Sequence, residues 1–281
     1  MSGITAQRLL TTDTVAIADV ACSGDCKHKS PEECARATHL VFPYRGVYVR
    51  HVGGDEAVAE ANQVLMFNQE EGYRVSHPVA GGDACLSVTL DEALLHELSP
   101  QDRIQRGPRL RFLQQRLRID PRTQALVALL RHSLLPNHKN GRAAEPLEAE
   151  VLTFTLARRA LGERTAHRAG ATAGRQKLAD RAKLVLSGDL ARRWTLTEIA
   201  REVGVSPVYL TQVFQQVEGM PLYRYQLRLR LARALDLIGK AEDLTALGLE
   251  LGFSSHSHFT AAFRQAYGRT PAEFRRSAGP R

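Results

Sequence analysis

The last hundred or so residues of this chain contain one pattern twice, and that duplication limits the architecture more than any other feature. One copy reads Leu196-Thr-Glu-Ile-Ala-Arg-Glu-Val-Gly-Val-Ser206 and the other Leu244-Thr-Ala-Leu-Gly-Leu-Glu-Leu-Gly-Phe-Ser254. Leu196/Leu244, Thr197/Thr245, Gly204/Gly252 and Ser206/Ser254 are 48 residues apart. Leu210/Phe259, Phe214/Phe263 and Gly219/Gly268 are 49 apart and Pro221/Pro271 50 apart, so the second copy carries an extra residue early on. Matching at this many positions marks a repeated supersecondary unit.

Each copy has the parts of a helix-turn-helix. Leu196, Ile199, Ala200 and Val203 share one face of a first helix at i, i+3, i+4, i+7. Gly204 and Gly252 fall where that helix must stop in a left-handed turn. Ala200 and Gly248 are small where a second helix crosses closely. Ser206 suits the N-cap of the second helix and Pro207 its first position. That helix buries Leu210, Val213, Phe214 and Val217 and leaves Thr211, Gln212 and Gln215 outward. In the second copy Phe259, Ala262, Phe263 and Ala266 point in, with His256, Ser257, Thr260, Ala261 and Arg264 nearer solvent. Thr195-x-x-Glu198 and Thr270-Pro-Ala-Glu273 fit the capping box.

Leu222 to Ile238 reads as one helix carrying Arg224, Arg228, Arg230 and Arg233, about 25 Å long at the α-helical rise. Successive major grooves on one face of a duplex lie about 34–36 Å apart, so such a helix can hold two reading helices in neighbouring grooves. Charge agrees. From Arg175 onward there are 17 Lys/Arg against 10 Asp/Glu, a net +7; the preceding residues carry 21 against 20. A basic domain beside a neutral one suits a polyanion-binding module coupled to a separate sensor.

The first ninety residues differ in kind. Short apolar or β-branched runs at 15–20, 40–42, 46–50, 63–67, 73–76 and 85–90 are separated by Gly53-Gly54-Asp55, Glu71-Gly72 and Gly81-Gly82-Asp83. Strands with Gly-rich turns argue for a small barrel or sandwich. From Asp91 to Gly162 the apolar spacing becomes helical, with Leu126, Leu129, Leu130 and Leu134 on one face. The expected class is α+β: a small β-barrel followed by helices, then an all-α domain of two helix-turn-helix units joined by a long helix. The expected division is 1–90 for the β-rich sensor, 91–162 for a helical dimerisation segment, 163–176 for a linker and 177–281 for the DNA-binding domain.

The stretch from about Leu178 to Arg276, and most specifically Asp243 to Pro271, resembles the DNA-binding domain of the AraC/XylS family of transcriptional regulators. The resemblance implies that the second helix of each unit enters a major groove. Carried onto this sequence, it assigns base reading to Val208, Thr211 and Gln212, with Gln215 beside them, and to His256, Ser257, His258, Thr260 and Ala261. It assigns phosphate contacts to Ser206, Arg224, Ser254 and Arg264. Many relatives have Arg where this chain has Gln212 and Ala261. Arg pairs bidentately with guanine and Gln with adenine, so the first unit is expected to read a different base and the second to make fewer direct contacts. The N-terminal part is similar, less specifically, to the cupin-like sensors of this family, which implies a homodimer through the following helices. The family also implies promoter DNA as partner, RNA polymerase if the chain activates, and control by an effector.

Cys22-x3-Cys26-x7-Cys34, with Cys85 a further donor if the fold returns it, is the feature with most chemical potential. Thiolates hold soft or borderline metals such as zinc; thiol redox sensing and plain structural thiols are the other two readings. No His-x-His occurs among the strands, and His51 and His77 read as isolated residues rather than ligands. Phe42, Tyr44, Tyr48, Met66, Phe67 and Tyr73 can line an effector pocket or fill the core. The competing class, an enzyme or alkyl-transfer protein with a DNA-binding tail, lacks a paired acid and base, a triad or a nucleotide motif, so no enzyme activity is expected. The absence of a leader-like N-terminus and of an apolar run long enough to span a bilayer points to a cytoplasmic protein with no membrane partner.

Overall fold

A computed structural model describes residues 3–24, 27–105, 107, 109–135, 145–162 and 172–278. Alternation along the N-terminal strands creates two antiparallel sheets. The larger holds β1 (Ile4–Thr11), β2 (Val15–Cys22), β9 (Asp83–Leu90), β4 (His39–Arg45), β7 (Gln63–Phe67) and β12 (Arg116–Arg118), side by side in that order. The smaller runs β3 (Glu33–Cys34), β8 (Gly72–Ser76), β5 (Tyr48–Val52), β6 (Asp55–Ala59). A hairpin of β10 (Ile104–Gln105) and β11 (Arg111–Phe112) stands apart. The segment after residue 90 is thus not purely helical: it supplies three short strands, one of which edges the main sheet.

Side chains on the main sheet divide by parity. Val15, Ile17, Leu40, Phe42, Val64, Met66, Leu86 and Val88 face one core, covered by α1 (Glu92–Leu98), α2 (Pro121–Leu134) and α3 (Pro146–Leu161). Val41, Leu65, Phe67 and Cys85 face the other way, toward Tyr48 and Ala59 of the small sheet.

The C-terminal half is helical: α4 (Ala173–Gly188), α5 (Leu196–Glu202), α6 (Pro207–Glu218), α7 (Leu222–Leu237), α8 (Leu244–Glu250), α9 (His256–Tyr267) and α10 (Pro271–Ala278). The linker expected at 163–176 lies outside the described residues up to 171, and α4 already begins at Ala173. One core gathers α4 to α7 around Ile199, Leu210, Phe214 and Tyr225; another gathers α7 to α10 around Leu247, Phe259, Phe263 and Phe274. The second core also takes in Ala128 of α2, so α2 packs on both halves of the chain.

The helix starts follow the sequence. Thr195 and Glu198 close the capping box on α5 reciprocally, and Thr270 with Glu273 do the same for α10. Two bonds from Thr195 and one from Arg192 hold the Glu198 carboxyl down at about 2. A carboxylate held below its unfolded pKa stabilises above that value and loses the contribution as pH falls through the folded one. The stability difference between the native chain and Glu198→Gln is therefore expected to be full near neutrality. It should shrink as pH falls from the ordinary glutamate range toward about 2, measured by urea unfolding at stepped pH. A difference that does not change with pH would show that the carboxylate plays no part in the cap.

Candidate nucleic-acid interface and sensor cavity

The two helix-turn-helix units form as the repeat requires. Gly204 and Gly252 take φ of 72° and 83°, and Gly219 and Gly268 end α6 and α9 in the same left-handed region at 67° and 75°. At Gly252 a Cβ would also come within 2.3 Å of the Ala191 carbonyl oxygen. Gly248 sits where α8 meets α9: a Cβ there would lie 3.0 Å from the Phe259 side chain. Ser206 caps α6 by accepting from Tyr209 N at 3.2 Å. In the second unit the cap is Ser255, which accepts from His258 N at 3.1 Å, and not the Ser254 that the 48-residue offset pairs with Ser206. The extra residue of the second copy therefore precedes the cap, and Ser254 instead hydrogen-bonds His258 Nδ1 through its hydroxyl at 3.0 Å.

On α6, Val208, Thr211, Gln212 and Gln215 are exposed, as is Ser206 at its start, while Leu210, Val213, Phe214 and Val217 are buried. The Thr211 hydroxyl donates back to Pro207 O at 3.0 Å. On α9, His256, Ser257, His258, Ala261 and Arg264 are exposed and Thr260 half-buried. His256 is oriented between Thr245 and Thr260, each hydroxyl 3.3 Å from a ring nitrogen, and His258 rests edge-on against Phe253. His256, Ser257, Thr260, Ala261 and Arg264 line an open concave surface together with Gln265, which the sequence reading did not single out, and Thr270, which it named only for its cap.

The arginines of α7 separate into two roles. Arg224 is exposed. Arg228 donates to Ile119 O at 2.7 Å, Arg233 pairs with Asp236, and Arg230 is buried. Arg230 donates from Nε to Leu190 O (2.6 Å), from Nη1 to Gly252 O (3.0 Å) and from Nη2 to Ala191 O (3.2 Å) and Arg192 O (2.8 Å). It ties the loop before the first unit to the turn of the second, so part of the basic excess is structural.

A sealed polar cluster joins the halves. Lys183 of α4, fully buried, reaches Glu218 Oε1 at 2.6 Å and Asp180 Oδ1 at 3.2 Å. Gln63 of β7, with its amide oxygen turned to the lysine, accepts from Nζ at 2.7 Å. Asp180 is held bidentately by Arg116 of β12 at 3.1 and 2.7 Å. Tyr225 of α7 donates to the buried Glu60, whose carboxyl is pushed up by burial against the opposing pull of Lys183. Arg131 of α2 pairs with Asp236 of α7 at 2.5 Å, and His132 donates to Leu235 O at 3.0 Å. None of these pairings was read from the sequence. Lys183 offered one sign, a charged residue at a core position among Ala179, Ala182 and Leu186.

Between the two sheets lies a cavity of about 180 Å³. Tyr48, Phe67 and Tyr73 line it with Val41, His39 and Cys85. Of the six aromatic and Met residues offered for such a pocket, Phe42 and Met66 face the helix-covered core instead, because their strand parity is opposite. Tyr44 packs against that same core, with its hydroxyl donating to Asp19 at 2.6 Å and Arg131 over its ring. Among the described residues, Cys22, Cys34 and Cys85 do not come together as one metal-holding set. Cys26 lies outside the described residues; Cys34 is exposed on edge strand β3; Cys85 is buried, its thiol pushed up by burial. Cys22 instead stands beside His77 and Asp83. His77 is therefore not isolated: it is buried, with Nε2 2.7 Å from Asp83 Oδ2. His51 is buried between Glu56 and Ser76.

A family model described as a helix-turn-helix domain matches residues 199–277. The transcriptional regulator GadX of Escherichia coli O127:H6 is 31% identical over 245 residues, covering 85% of this chain and 83% of that protein. The transcriptional regulator ArgR of Pseudomonas aeruginosa is 36% identical over 95 residues, which span 34% of this chain and 29% of that protein. Among solved structures, an AraC-type regulator domain from Chromobacterium violaceum is 32% identical over 38% of this chain and 97% of its own, with a TM-score of 0.37.

Proposed function

The chain belongs to the AraC/XylS family of transcriptional regulators, and from that membership we propose that it places α6 and α9 in successive major grooves of one duplex face. The observation that carries this reading is the matched amphipathicity of the two helices: each buries its apolar face in its own core and turns polar side chains outward. In this reading Val208, Thr211, Gln212 and Gln215 face bases in one groove and His256, Ser257, His258 and Thr260 in the next. Ser206, Arg224, Ser254 and Arg264 neutralise or hydrogen-bond phosphates, with Ser255 added as the cap whose position matches Ser206. Because α9 offers Ala261 and two histidines already oriented by its own threonine and serine neighbours, direct base discrimination rests more on the first unit.

We read residues 1–90 with β12 as a cupin-like small barrel whose cavity admits an effector, 91–162 as the segment that adds the helical layer, and 177–281 as the DNA-binding domain. Homodimerisation is assigned to α3, where Leu147 and Val151 are exposed. No helix among the described residues is long and apolar enough to cross a membrane; the working compartment in this reading is the cytoplasm, with RNA polymerase as partner at activated promoters. The relatives are regulators, which supports a regulator rather than an enzyme.

Selection of duplexes from random sequence by the full-length protein, followed by titration of the winners, tests the reading. Arg264→Ala is expected to weaken binding on all sequences alike and to lower the salt slope by about one. Gln212→Ala is expected to cost about 1–3 kcal/mol on the preferred sequence and little on variants at one base position. No salt-dependent DNA binding at all would sink the proposal. Equal losses on every sequence for Gln212→Ala would remove that residue from the reading set.

A further inference from the structure

The geometry points to a zinc-class metal site at one end of the inter-sheet cavity, held by the Cys22 thiolate, the His77 imidazole and the Asp83 carboxylate. The three donor atoms lie within 4.8 Å of one another. They come from both layers: Cys22 and Asp83 are cross-strand partners on β2 and β9, and His77 follows β8 of the smaller sheet. Their parity sends them to the cavity side, with Val20 and Cys85 next along the same two strands.

The surroundings favour a cation. The side chains of His77 and Asp83 are 4% and 7% exposed. Asp83 Oδ2 stands 2.7 Å from His77 Nε2, so two of the three donors already converge on one point. The frame is stiff: Gly24, Gly46 and Gly82 all have positive φ, and a Cβ at Gly46 would meet Gly82 O at 2.0 Å, so the loops around Asp83 pack backbone to backbone.

One sulfur, one nitrogen and one oxygen donor suit zinc over hard cations, which take oxygen ligands. Donors around tetrahedral zinc stand about 3.3–3.7 Å apart, given bonds of about 2.0–2.3 Å. Small side-chain rotations close the present spacing to that value and open the His77–Asp83 contact. Three protein ligands leave a fourth position, and it faces the cavity lined by Tyr48, Phe67 and Tyr73. A small molecule with a thiolate, carboxylate or imidazole donor can complete it. Cys85 and Cys34 are not part of the cluster.

This inference supplies an input for the effector control proposed above but needs no DNA for its test, so either can fail alone. The reduced full-length protein is titrated with Co²⁺, then competed with Zn²⁺. The expected result is one ion per chain, with a sulfur-to-cobalt charge-transfer band and tetrahedral ligand-field bands. Cys22→Ser should abolish the charge-transfer band, and His77→Gln and Asp83→Asn should each weaken binding tenfold or more, with far-ultraviolet circular dichroism confirming the fold. A double variant, Cys26→Ser with Cys34→Ser, should keep the band. Absence of the band in the native chain, its persistence in Cys22→Ser, or its loss in the double variant overturns the site. Should Asp83→Asn fail to fold, the Cys22→Ser spectrum still decides.

Discussion

Lys183→Met is expected to lower the unfolding free energy by about 3–5 kcal/mol, the cost of removing one partner from a buried ionic cluster. The ammonium lies within 3.2 Å of both Glu218 and Asp180, which also meet Arg118 at 3.4 Å and Arg116 at 2.7 Å, and it opposes the charge of Glu60. Glu218 and Glu60 are at most 1% exposed, so water cannot take over. Methionine keeps the stem's volume and removes the charge, which isolates the electrostatic part. The buried Glu60 then relieves itself by taking up a proton. The Glu60 carboxyl, already raised by burial, loses the opposing pull of Lys183 and rises further, so stability falls as pH rises through that window. The loss should therefore be larger near pH 7 than near pH 5, two conditions on either side of much of a raised carboxylate's titration. Adding Glu218→Gln should recover part of it, since the second change removes a buried charge that has lost its 2.6 Å partner. Urea unfolding at both pH values measures this. A loss below about 1 kcal/mol, typical of a solvated pair, would mean that the cluster is not sealed.

Arg230→Lys should be nearly as damaging, although it conserves charge. The guanidinium donates to four carbonyl oxygens, those of Leu190, Ala191, Arg192 and Gly252, from three nitrogens in a fixed fork. An ammonium is a compact point donor and cannot span them. Hydrogen bonds to a charged group contribute about 1.5–3 kcal/mol each, so losing two or more costs several kcal/mol in total. The DNA consequence is more specific. With the tie cut, the two units bind less as one rigid body, and affinity for a two-groove site should fall about 100-fold or more as the linked advantage is lost. Titration on a full site and on each half-site separates the cases. Equal weakening on half-sites and full site would assign Arg230 to fold stability alone.

The repeat was legible because it is written in positions that local physics fixes. Gly204 and Gly252 take the left-handed conformation expected of them, and Gly219 and Gly268, paired by the repeat, take it as well. The run Gln63–Phe67 is a strand to the residue, and both capping boxes form. What stayed hidden depends on where strands sit against each other. β1 was missed because Ile4-Thr-Ala-Gln-Arg-Leu-Leu-Thr11 is largely exposed and does not alternate, and β12 because a three-residue strand carries no period. Phe42 and Tyr48 look alike as aromatic residues in neighbouring runs; only register puts one against helices and the other in the cavity. His77 and Asp83 meet across the turn between β8 and β9, at a spacing no ligand motif contains. That Ser255 and not Ser254 caps α9 is an ambiguity between two adjacent serines that the repeat offset leaves open and a main-chain hydrogen bond resolves.

Parity on the main sheet has one more effect. Val41 and Phe42, Leu65 and Met66, Cys85 and Leu86 are consecutive pairs in which one member touches the cavity side and the other the layer that holds α2. Helix α2 in turn lends Ala128 to the core of the second unit and pairs Arg131 with α7. The inter-sheet cavity and the helix that meets the second unit thus lie on opposite faces of one layer of backbone a single residue thick. An occupant of the proposed kind that changes the spacing of the strands is expected to shift α2 with no hinge between.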